Sequence, residues 1–445
     1  MKTIIKYIVS FICILFLFTM SYEALKYILI DDTNSYTRIT MHQLYGPENI
    51  DVLFLGSSHC YRSLNPAVTD IYFNSNTFNG GSSAQEMDGS LTIAKEAIKN
   101  HNIKHIYLEM LYSVAMAKPR NEREQLTSTY IISDYMHPGL NRLYYLINAS
   151  SSRYFINSFF IPLRNRSKLT DLNYIKEVVK KKQSYEYRNY IWNRMNDPYE
   201  YYVNKGFVAN DGSLEKKEIW TSPYYPKEFD PISEEWKKDV KEISELCQKH
   251  NIELTFFVAP LPEWSLLALE NYDNYKSIVA ELANECNVDY YDFNYIDPCY
   301  FDSSNPEYYK DNGHLNTIGA NAFSNLFGKF MTGKIPKEGV LYKTLEDKLE
   351  HEEPHFLGLA KSSSENETDK YESQKIKIIS NKSDMEYKIC LISKAGKLSV
   401  LQDFDINRYF SVPSGFQGKI KIEWKTAEPF SVTDTVYYNY PDSNS

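Results

Sequence analysis

The stretch that decides the fold is residues 51–59, with the sequence DVLFLGSSH. Its apolar run ends at Gly56, which is the pattern of a short strand buried on both faces of a parallel sheet. Ligands bind beyond the carboxyl ends of the strands in such sheets. Ser58 therefore lies where an exposed nucleophile is expected, just after a glycine that permits a sharp turn.

Further strand-like runs alternate with segments of helical spacing along the chain. The runs are residues 77–78, 105–108, 252–258 and 288–293. Apolar residues recur at helical spacing between them, and residues 318–331 form a closing helix. This alternation indicates βαβ units, and the sequence therefore predicts an α/β fold, a three-layer flavodoxin-like parallel sheet with helices on both faces.

Two segments depart from this alternation and set the predicted domain limits. Residues 115–232 contain few clear strands, and we expect a helical insertion that caps the carboxyl edge of the sheet and shapes a cleft. Residues 350–373 are rich in Ser and Glu and predict a linker. Short alternating runs across 374–445 predict a small antiparallel β-domain, which leaves 33–349 as the main domain.

The N-terminus has the pattern of a membrane anchor. Lys2 and Lys6 precede an uncharged, largely apolar stretch over residues 7–22. That stretch is shorter than the ~20 residues that usually span a bilayer, and Lys26 can snorkel to extend it. A cleaved signal peptide has similar features. We favour an uncleaved anchor over residues 1–32, with a cytoplasmic N-terminus and the rest of this single-pass protein outside the membrane.

Composition and cysteine usage exclude several classes of function. The chain has 49 basic and 58 acidic residues, a net charge of −9, which does not favour nucleic-acid binding. Six cysteines are scattered without a CxxC pair, so neither a disulfide framework nor a zinc ribbon is predicted. The sequence HEEPH at 351–355 matches a metalloprotease pattern, but Pro354 interrupts the helix that such a zinc site needs. No metal or cofactor is therefore expected.

A second motif, DNGHLN at residues 311–316, supplies partners for Ser58. A serine becomes nucleophilic at neutral pH when a base and an orienting acid activate it. Asp311 and His314 share one loop before the closing helix, so the Asp311 carboxylate can reach Nδ1 of His314. That arrangement leaves Nε2 of His314 facing Ser58, and the sequence predicts a Ser58–His314–Asp311 catalytic triad.

The two motifs together resemble the SGNH (GDSL-type) hydrolase superfamily over about residues 48–332, less the insertion. The resemblance implies that Ser58 is the nucleophile and that the amides of Ser58 and Gly81 bind the oxyanion, Gly81 being the matching glycine of the Asn-Gly-Gly motif at 79–81. The family's Gly-x-Asn-Asp block is missing, and LEMLY stands in its place at 108–112. The third oxyanion donor of the family is therefore not identified.

The anchor, the Gly-Ser-Ser block and the large insertion resemble those of the DltD-like and AlgJ/AlgX-like proteins of envelope-polymer acylation. This resemblance implies a serine esterase or O-acyltransferase that acts outside the membrane on acyl, most simply acetyl, esters of a cell-envelope polysaccharide. It also implies a membrane-bound O-acyltransferase as partner. The alternative is a catalytically weak protein of the same fold that binds glycan or assembles with that partner.

Four further residues are candidate substrate contacts, each with a structural alternative. Glu109 binds substrate or forms a salt bridge under the insertion, and Trp264 is a sugar platform or a core residue. His59 faces substrate or is structural, and Tyr112 follows in the same post-strand segment as Glu109. A thioesterase or lipase is a third possibility, but it needs an apolar pocket against Ser58, which the polar insertion does not suggest.

Overall fold

The computed structural model describes residues 2–116, 119–123, 126–149, 155–191, 197–214, 219–224, 232–269, 272–362, 373–426 and 433–441. The α-helices are α1 Lys2–Leu29, α2 Tyr36–Leu44, α3 Ser58–Ser63, α4 Pro66–Phe73, α5 Met87–Asn100, α6 Tyr112–Ala115, α7 Thr127–Ser133, α8 Leu140–Ala149, α9 Phe155–Phe159, α10 Leu172–Lys182, α11 Tyr185–Arg188, α12 Glu234–His250, α13 Glu263–Leu266, α14 Tyr272–Cys286, α15 Thr317–Met331 and α16 Leu345–His351. The strands are β1 Val52–Leu55, β2 Thr77–Asn79, β3 His105–Glu109, β4 Glu200–Asn204, β5 Phe207–Asn210, β6 Trp220–Tyr224, β7 Glu253–Val258, β8 Asp289–Asp292, β9 Phe356–Ser362, β10 Gln374–Ser380, β11 Glu386–Ser393, β12 Leu398–Asp405, β13 Tyr409–Val412, β14 Gly418–Lys425 and β15 Thr433–Tyr440.

A five-stranded parallel sheet forms the centre of the main domain, in the order β2-β1-β3-β7-β8. Successive residues of β1 point to opposite faces: Leu53 and Leu55 join one buried cluster with α5, α12 and α14, while Phe54 joins another with α15. Both faces are therefore covered by helices, and the predicted three-layer α/β fold is confirmed. The carboxyl ends of β1 and β3 lie side by side, which brings the segments after them together.

Two four-stranded sheets pack face to face in the C-terminal part, β13-β10-β9-β6 and β12-β11-β14-β15, around one shared apolar cluster. The antiparallel region predicted from 374 is thus present. The linker predicted over 350–373 differs from the structure, because strand β9 occupies Phe356–Ser362; residues 363–372 lie outside the described part. Strand β6, from the insertion, pairs in parallel with β9. Gly358 permits this approach, since a Cβ there would lie 2.6 Å from the Ile219 carbonyl oxygen.

Helix α1 is long and apolar enough over Ile4–Leu29 to cross a membrane, and none of its most apolar window is buried. The described parts of the insertion are mostly helical, with α7 to α11, the β4–β5 hairpin and β6. Contacts with α1 come from the 3-10 stretch Ile161–Lys168 and from α10. The insertion therefore joins the anchor-like helix at one end to the C-terminal sheets at the other.

Candidate active site

A tight turn after β1 presents Ser58 at the edge of the sheet. Ser57 caps helix α3, its side chain accepting a hydrogen bond from the His59 amide at 3.2 Å, and Ser58 is the first residue of that helix. Gly56 leaves room for Glu109: a Cβ at Gly56 would lie 2.5 Å from Glu109 Oε2 and 2.7 Å from Cys60 Cβ. The turn therefore requires glycine, and it fixes Ser58 directly beyond the carboxyl end of β1.

Ser58, His314 and Asp311 form a continuous hydrogen-bonded chain. Ser58 Oγ lies 2.8 Å from His314 Nε2, and His314 Nδ1 lies 2.9 and 3.0 Å from the two carboxylate oxygens of Asp311. A carboxylate only accepts, so Nδ1 carries the proton and Nε2 is left to accept from the serine hydroxyl. The structure thus brings together the three residues that the sequence predicts as a triad, in the geometry of a nucleophile, its base and an orienting acid.

Burial and charge set the protonation states of this pair. Burial lowers the pKa of His314 below its usual 6.5, and this effect outweighs the hydrogen bond and negative charge of Asp311. Burial alone would raise the pKa of Asp311, but its contacts with His314, the Gly313 amide and Lys310 hold that pKa well below its usual value. At neutral pH the pair is therefore a neutral imidazole and a carboxylate, the state in which His314 can act as a base.

Trp264 and its neighbour Ser265 hold the Asp311–His314 loop in place through hydrogen bonds to Asn312. Trp264 Nε1 donates to Asn312 Oδ1 at 3.1 Å, and Ser265 Oγ donates to the Asn312 carbonyl at 2.6 Å. The Trp264 side chain is fully buried. Its indole therefore offers no surface on which a sugar could stack, and the structure places Trp264 as a core residue that supports the loop.

Glu109 lies beneath the serine turn and does not line the cavity. Its Oε2 accepts from the Ser57 amide at 3.0 Å and from Ser57 Oγ at 3.1 Å, while Oε1 lies 3.0 Å from His59 Nδ1. Glu109 is buried and so is His59. The substrate contact predicted for Glu109 is thus replaced by a positioning contact, because its carboxylate is occupied by the turn that carries Ser58.

His59 lies against the cavity that Ser58 lines. Its Nδ1 faces Glu109, whereas its Nε2 is buried without a hydrogen-bond partner in the described structure, and the residue lines the same cavity as Ser58. Tyr112, the fourth predicted contact, also lines this cavity. The structure therefore brings two of the four predicted contacts, His59 and Tyr112, to the cavity wall.

The Gly81 amide, which the resemblance implies as an oxyanion donor, has another hydrogen-bond partner in the structure. It donates to Asn79 Oδ1 at 3.1 Å, because the Asn79 side chain folds back over its own turn and is itself held through Nδ2 by two carbonyl oxygens. Gly81 is also not among the residues that line the cavity. The Ser58 amide has no hydrogen-bond partner in the described structure, so it is the predicted donor that remains available.

A cavity of about 390 Å³ opens in front of Ser58 and His314. Its wall is largely apolar, from Ala84, Leu111, Tyr112, Val114 and Leu261. This contrasts with the polar surroundings expected from the insertion: the wall comes instead from the segments that follow β2, β3 and β7.

Glu86 also lines the cavity, and sequence reasoning missed it. Burial raises the pKa of this carboxyl to about 7, although an ion pair with Arg123 opposes the shift. Its place in the loop after β2, at the carboxyl edge of a parallel sheet, was the signal that could have identified it.

No family model matches the chain, and no curated protein matches it. Solved structures that are similar include a protein described as an acylhydrolase from Bacteroides fragilis, with 12% identity over 66% of this chain and 94% of that chain and a TM-score of 0.29. Another is a GDSL-like lipase from Bacteroides thetaiotaomicron, with 10% identity over 68% of this chain and 100% of that chain and a TM-score of 0.30.

The fold and the site themselves define an α/β protein with a Ser–His–Asp arrangement at the carboxyl edge of its sheet, the arrangement that serine hydrolases and acyltransferases use.

Proposed function

We propose that this protein is an SGNH-type serine enzyme that transfers acyl groups from esters through an acyl-Ser58 intermediate. The observation that carries the proposal is the 2.8 Å contact between Ser58 Oγ and His314 Nε2, with Asp311 on the far side of the ring. An unreactive turn serine has no need of that chain of three groups. The neutral state of His314 at physiological pH supports the same role.

The reaction divides into two balanced halves. Ser58 Oγ attacks the acyl carbonyl while its proton passes to His314 Nε2, and the Ser58 amide donates to the oxyanion. The tetrahedral intermediate then expels the alcohol, which takes the proton back from His314. In the second half an acceptor hydroxyl, from water or a sugar, gives its proton to His314 and attacks the acyl-serine carbonyl. The tetrahedral intermediate then expels Ser58 Oγ, which takes that proton back from His314.

The proposed setting is the outer face of a membrane crossed by α1, with the N-terminus cytoplasmic. The proposed substrate is an acyl ester, most simply an acetyl ester, of a cell-envelope polysaccharide, with a membrane-bound O-acyltransferase as partner. The length and apolarity of α1 support the anchor. The resemblance of the anchor, first motif and insertion to envelope acylation proteins supports the substrate class.

A second candidate substrate follows from the cavity wall. Leu111, Val114 and Leu261 stand beside Ser58, and such a wall suits a longer apolar acyl chain better than a sugar. A third candidate, a catalytically weak assembly protein, is favoured by the engaged amide of Gly81.

The test uses the full chain in detergent with p-nitrophenyl esters of two, four and eight acyl carbons and a fluorophosphonate probe. Wild type is compared with Ser58→Ala and His314→Ala, and with Ser277→Ala as the control, since Ser277 is exposed on α14. We expect turnover that falls about 10³-fold or more in both triad variants but not in the control.

The ester series then separates the candidates. Preference for the acetyl ester supports the polysaccharide substrate, and preference for the eight-carbon ester supports the apolar one. If wild type shows no turnover and no Ser58-dependent labelling, the catalytic proposal is rejected and the assembly protein remains.

A further inference from the structure

An apolar lobe projects from the insertion next to α1. It consists of Phe155, Ile156 and Phe159 of α9 and the following Phe160. Phe155 is 50% exposed and Ile156 is 68% exposed, and the Phe155 and Phe159 rings lie 4.9 Å apart. Large apolar side chains are seldom clustered on a water-exposed surface, so we expect the lobe to contact an apolar partner.

The lobe packs directly on the membrane-spanning part of α1. The Phe160 ring centroid lies 5.2 Å from that of Tyr22 and 6.2 Å from that of Phe18. Ile156 is one helical turn from this contact, since its carbonyl accepts the Phe160 amide at 2.8 Å. The exposed side of the lobe therefore lies within about one helical turn, ~5.4 Å, of the contact with Phe18 and Tyr22.

The C-terminal end of α1 is fixed to the same insertion by polar contacts. The Leu29 carbonyl accepts from Asn165 Nδ2 at 3.0 Å and from Tyr174 Oη at 2.9 Å. Just beyond it, Asp31 pairs with Lys181 at 2.9 Å and Asp32 pairs with Lys182 at 2.8 Å. The insertion therefore contacts α1 at Phe18, Tyr22 and Leu29 and the segment just after α1 at residues 31–32. These contacts span several helical turns and fix the position of the lobe along α1.

The height of the lobe relative to a bilayer follows from the charge pattern of α1. Residues 7–22 carry no charge and extend ~24 Å at ~1.5 Å per residue, most of a ~30 Å hydrocarbon core. Tyr22 then lies near the outer boundary of the hydrocarbon, and Phe18 lies ~6 Å inside it. A lobe that contacts both residues occupies that outermost layer.

We propose that the lobe is inserted among the acyl chains of the outer leaflet, so that the protein enters the bilayer at two places, α1 and the lobe. The inference rests on the proposed anchor and goes beyond it: a single helix would leave the domain free to tilt, whereas a second insertion sets its height and tilt above the membrane.

Residues at the end of α1 support a lipid neighbour. A cavity of about 490 Å³ there is lined by the cations Lys26, Arg38 and Lys182 and by the carboxylates Glu23 and Asp32. Lys26 lies about one turn beyond Tyr22, at the height of lipid phosphates. Arg38 is held there between the Tyr187 and Tyr190 rings, 3.7 and 4.1 Å from their centroids. Aromatic rings and cations at this level are the usual composition of a membrane interface.

The experiment measures depth with the full chain reconstituted in phosphatidylcholine–phosphatidylglycerol vesicles. Ile156→Cys carries an environment-sensitive fluorophore in a Cys13→Ser, Cys299→Ser background, which removes the two exposed cysteines. Ile71→Cys in the same background is the matched control, because Ile71 is 70% exposed on α4, which packs against α15. Native Cys13, labelled in the Cys299→Ser chain, reports on the anchor.

Quenching by nitroxides at carbon 5 or carbon 12 of the acyl chains then gives the result. We expect the Ile156 label to be quenched at least about twofold more than the Ile71 label, and more by carbon 5 than by carbon 12, as for a shallow insertion. We expect the Cys13 label to show the reverse depth preference.

Three outcomes would overturn the proposal, and they are distinguishable. If Cys13 is quenched but Ile156 behaves as Ile71 does, the anchor stands and the lobe insertion is wrong. If Cys13 is not quenched, the anchor itself is wrong. If the Ile156 label is shielded only when a membrane protein is added, the lobe binds protein rather than lipid.

Discussion

Replacing Asp311 with asparagine tests the proposed mechanism at a single atom. Asp311 Oδ1 accepts from the Gly313 amide at 2.9 Å and from the His314 amide at 2.8 Å, so the oxygen of an asparagine is held at that position. The amide nitrogen must then take the place of Oδ2, 3.0 Å from His314 Nδ1. This NH₂ only donates, so it opposes the native proton on Nδ1, although the retained oxygen still lies 2.9 Å from that nitrogen. The substitution therefore favours the tautomer with the proton on Nε2, which faces Ser58 and prevents proton abstraction, and it removes the negative charge that stabilises the protonated ring.

The expected loss is large although the loop is preserved. A triad histidine forced into the wrong tautomer loses ~10⁴ in kcat, or ~5.5 kcal/mol of transition-state stabilisation. Steady-state hydrolysis of the preferred p-nitrophenyl ester, with wild type and Asp311→Asn side by side, measures this loss. Thermal melting of both chains is the control, and we expect similar midpoints because both backbone hydrogen bonds remain. A fall in kcat of less than tenfold with an unchanged midpoint would refute the tautomer argument.

The remaining predictions concern pH and the serine turn. The lowered pKa of His314 means that kcat/KM rises with pH through a midpoint below 6.5, since the ring must lose its proton to act as a base; a midpoint above 6.5 in a pH–rate profile contradicts this. Glu109→Ala should lower the free energy of unfolding by ~1–3 kcal/mol or more, because the Ser57 amide and hydroxyl lose their buried acceptor. Glu109→Gln should lower it by much less because it still accepts from Ser57, as denaturant titration would show. Gly56→Ala should lower the free energy of unfolding by ~1–3 kcal/mol or more, because the added Cβ overpacks the turn. Gly313→Ala is the control: a Cβ there would lie 3.8 Å from its nearest neighbour, so the melting midpoint should not change.

The central sheet could be predicted because its signals are local. Strands β1, β3 and β7 are short, largely apolar runs, and their alternation with segments of helical spacing favours a parallel sheet. The triad was predictable for the same reason: the glycine turn after β1 and the Asp-x-x-His loop before α15 each carry their chemistry within a few residues.

Contacts between distant segments could not be predicted. Strand β9 contains Gly358 and little alternation, and its partner β6 lies in the insertion, so nothing near 356–362 indicates a sheet. Trp264 is buried in an apolar cluster shared with β1 and α15 and donates to Asn312, while the loss of Gly81 as a donor depends on the side-chain conformation of Asn79. Neither partnership leaves a pattern in the sequence.

The largest departure from the resembled family is Glu109 at the end of β3, which determines the hydrogen bonding around the serine turn. A carboxylate cannot donate to an oxyanion as the missing asparagine would, but as an acceptor it fixes every hydrogen around it. Ser57 Oγ must donate to Glu109, which leaves that oxygen to accept the His59 amide, and His59 Nδ1 must carry a proton. In the described structure, the remaining polar atom of this group is His59 Nε2, which is buried beside the cavity without a hydrogen-bond partner. Of the two oxyanion donors that the resemblance implies, the Ser58 amide is therefore the one left without a partner in the described structure, and Glu109 contributes by holding Ser57 and His59 in place.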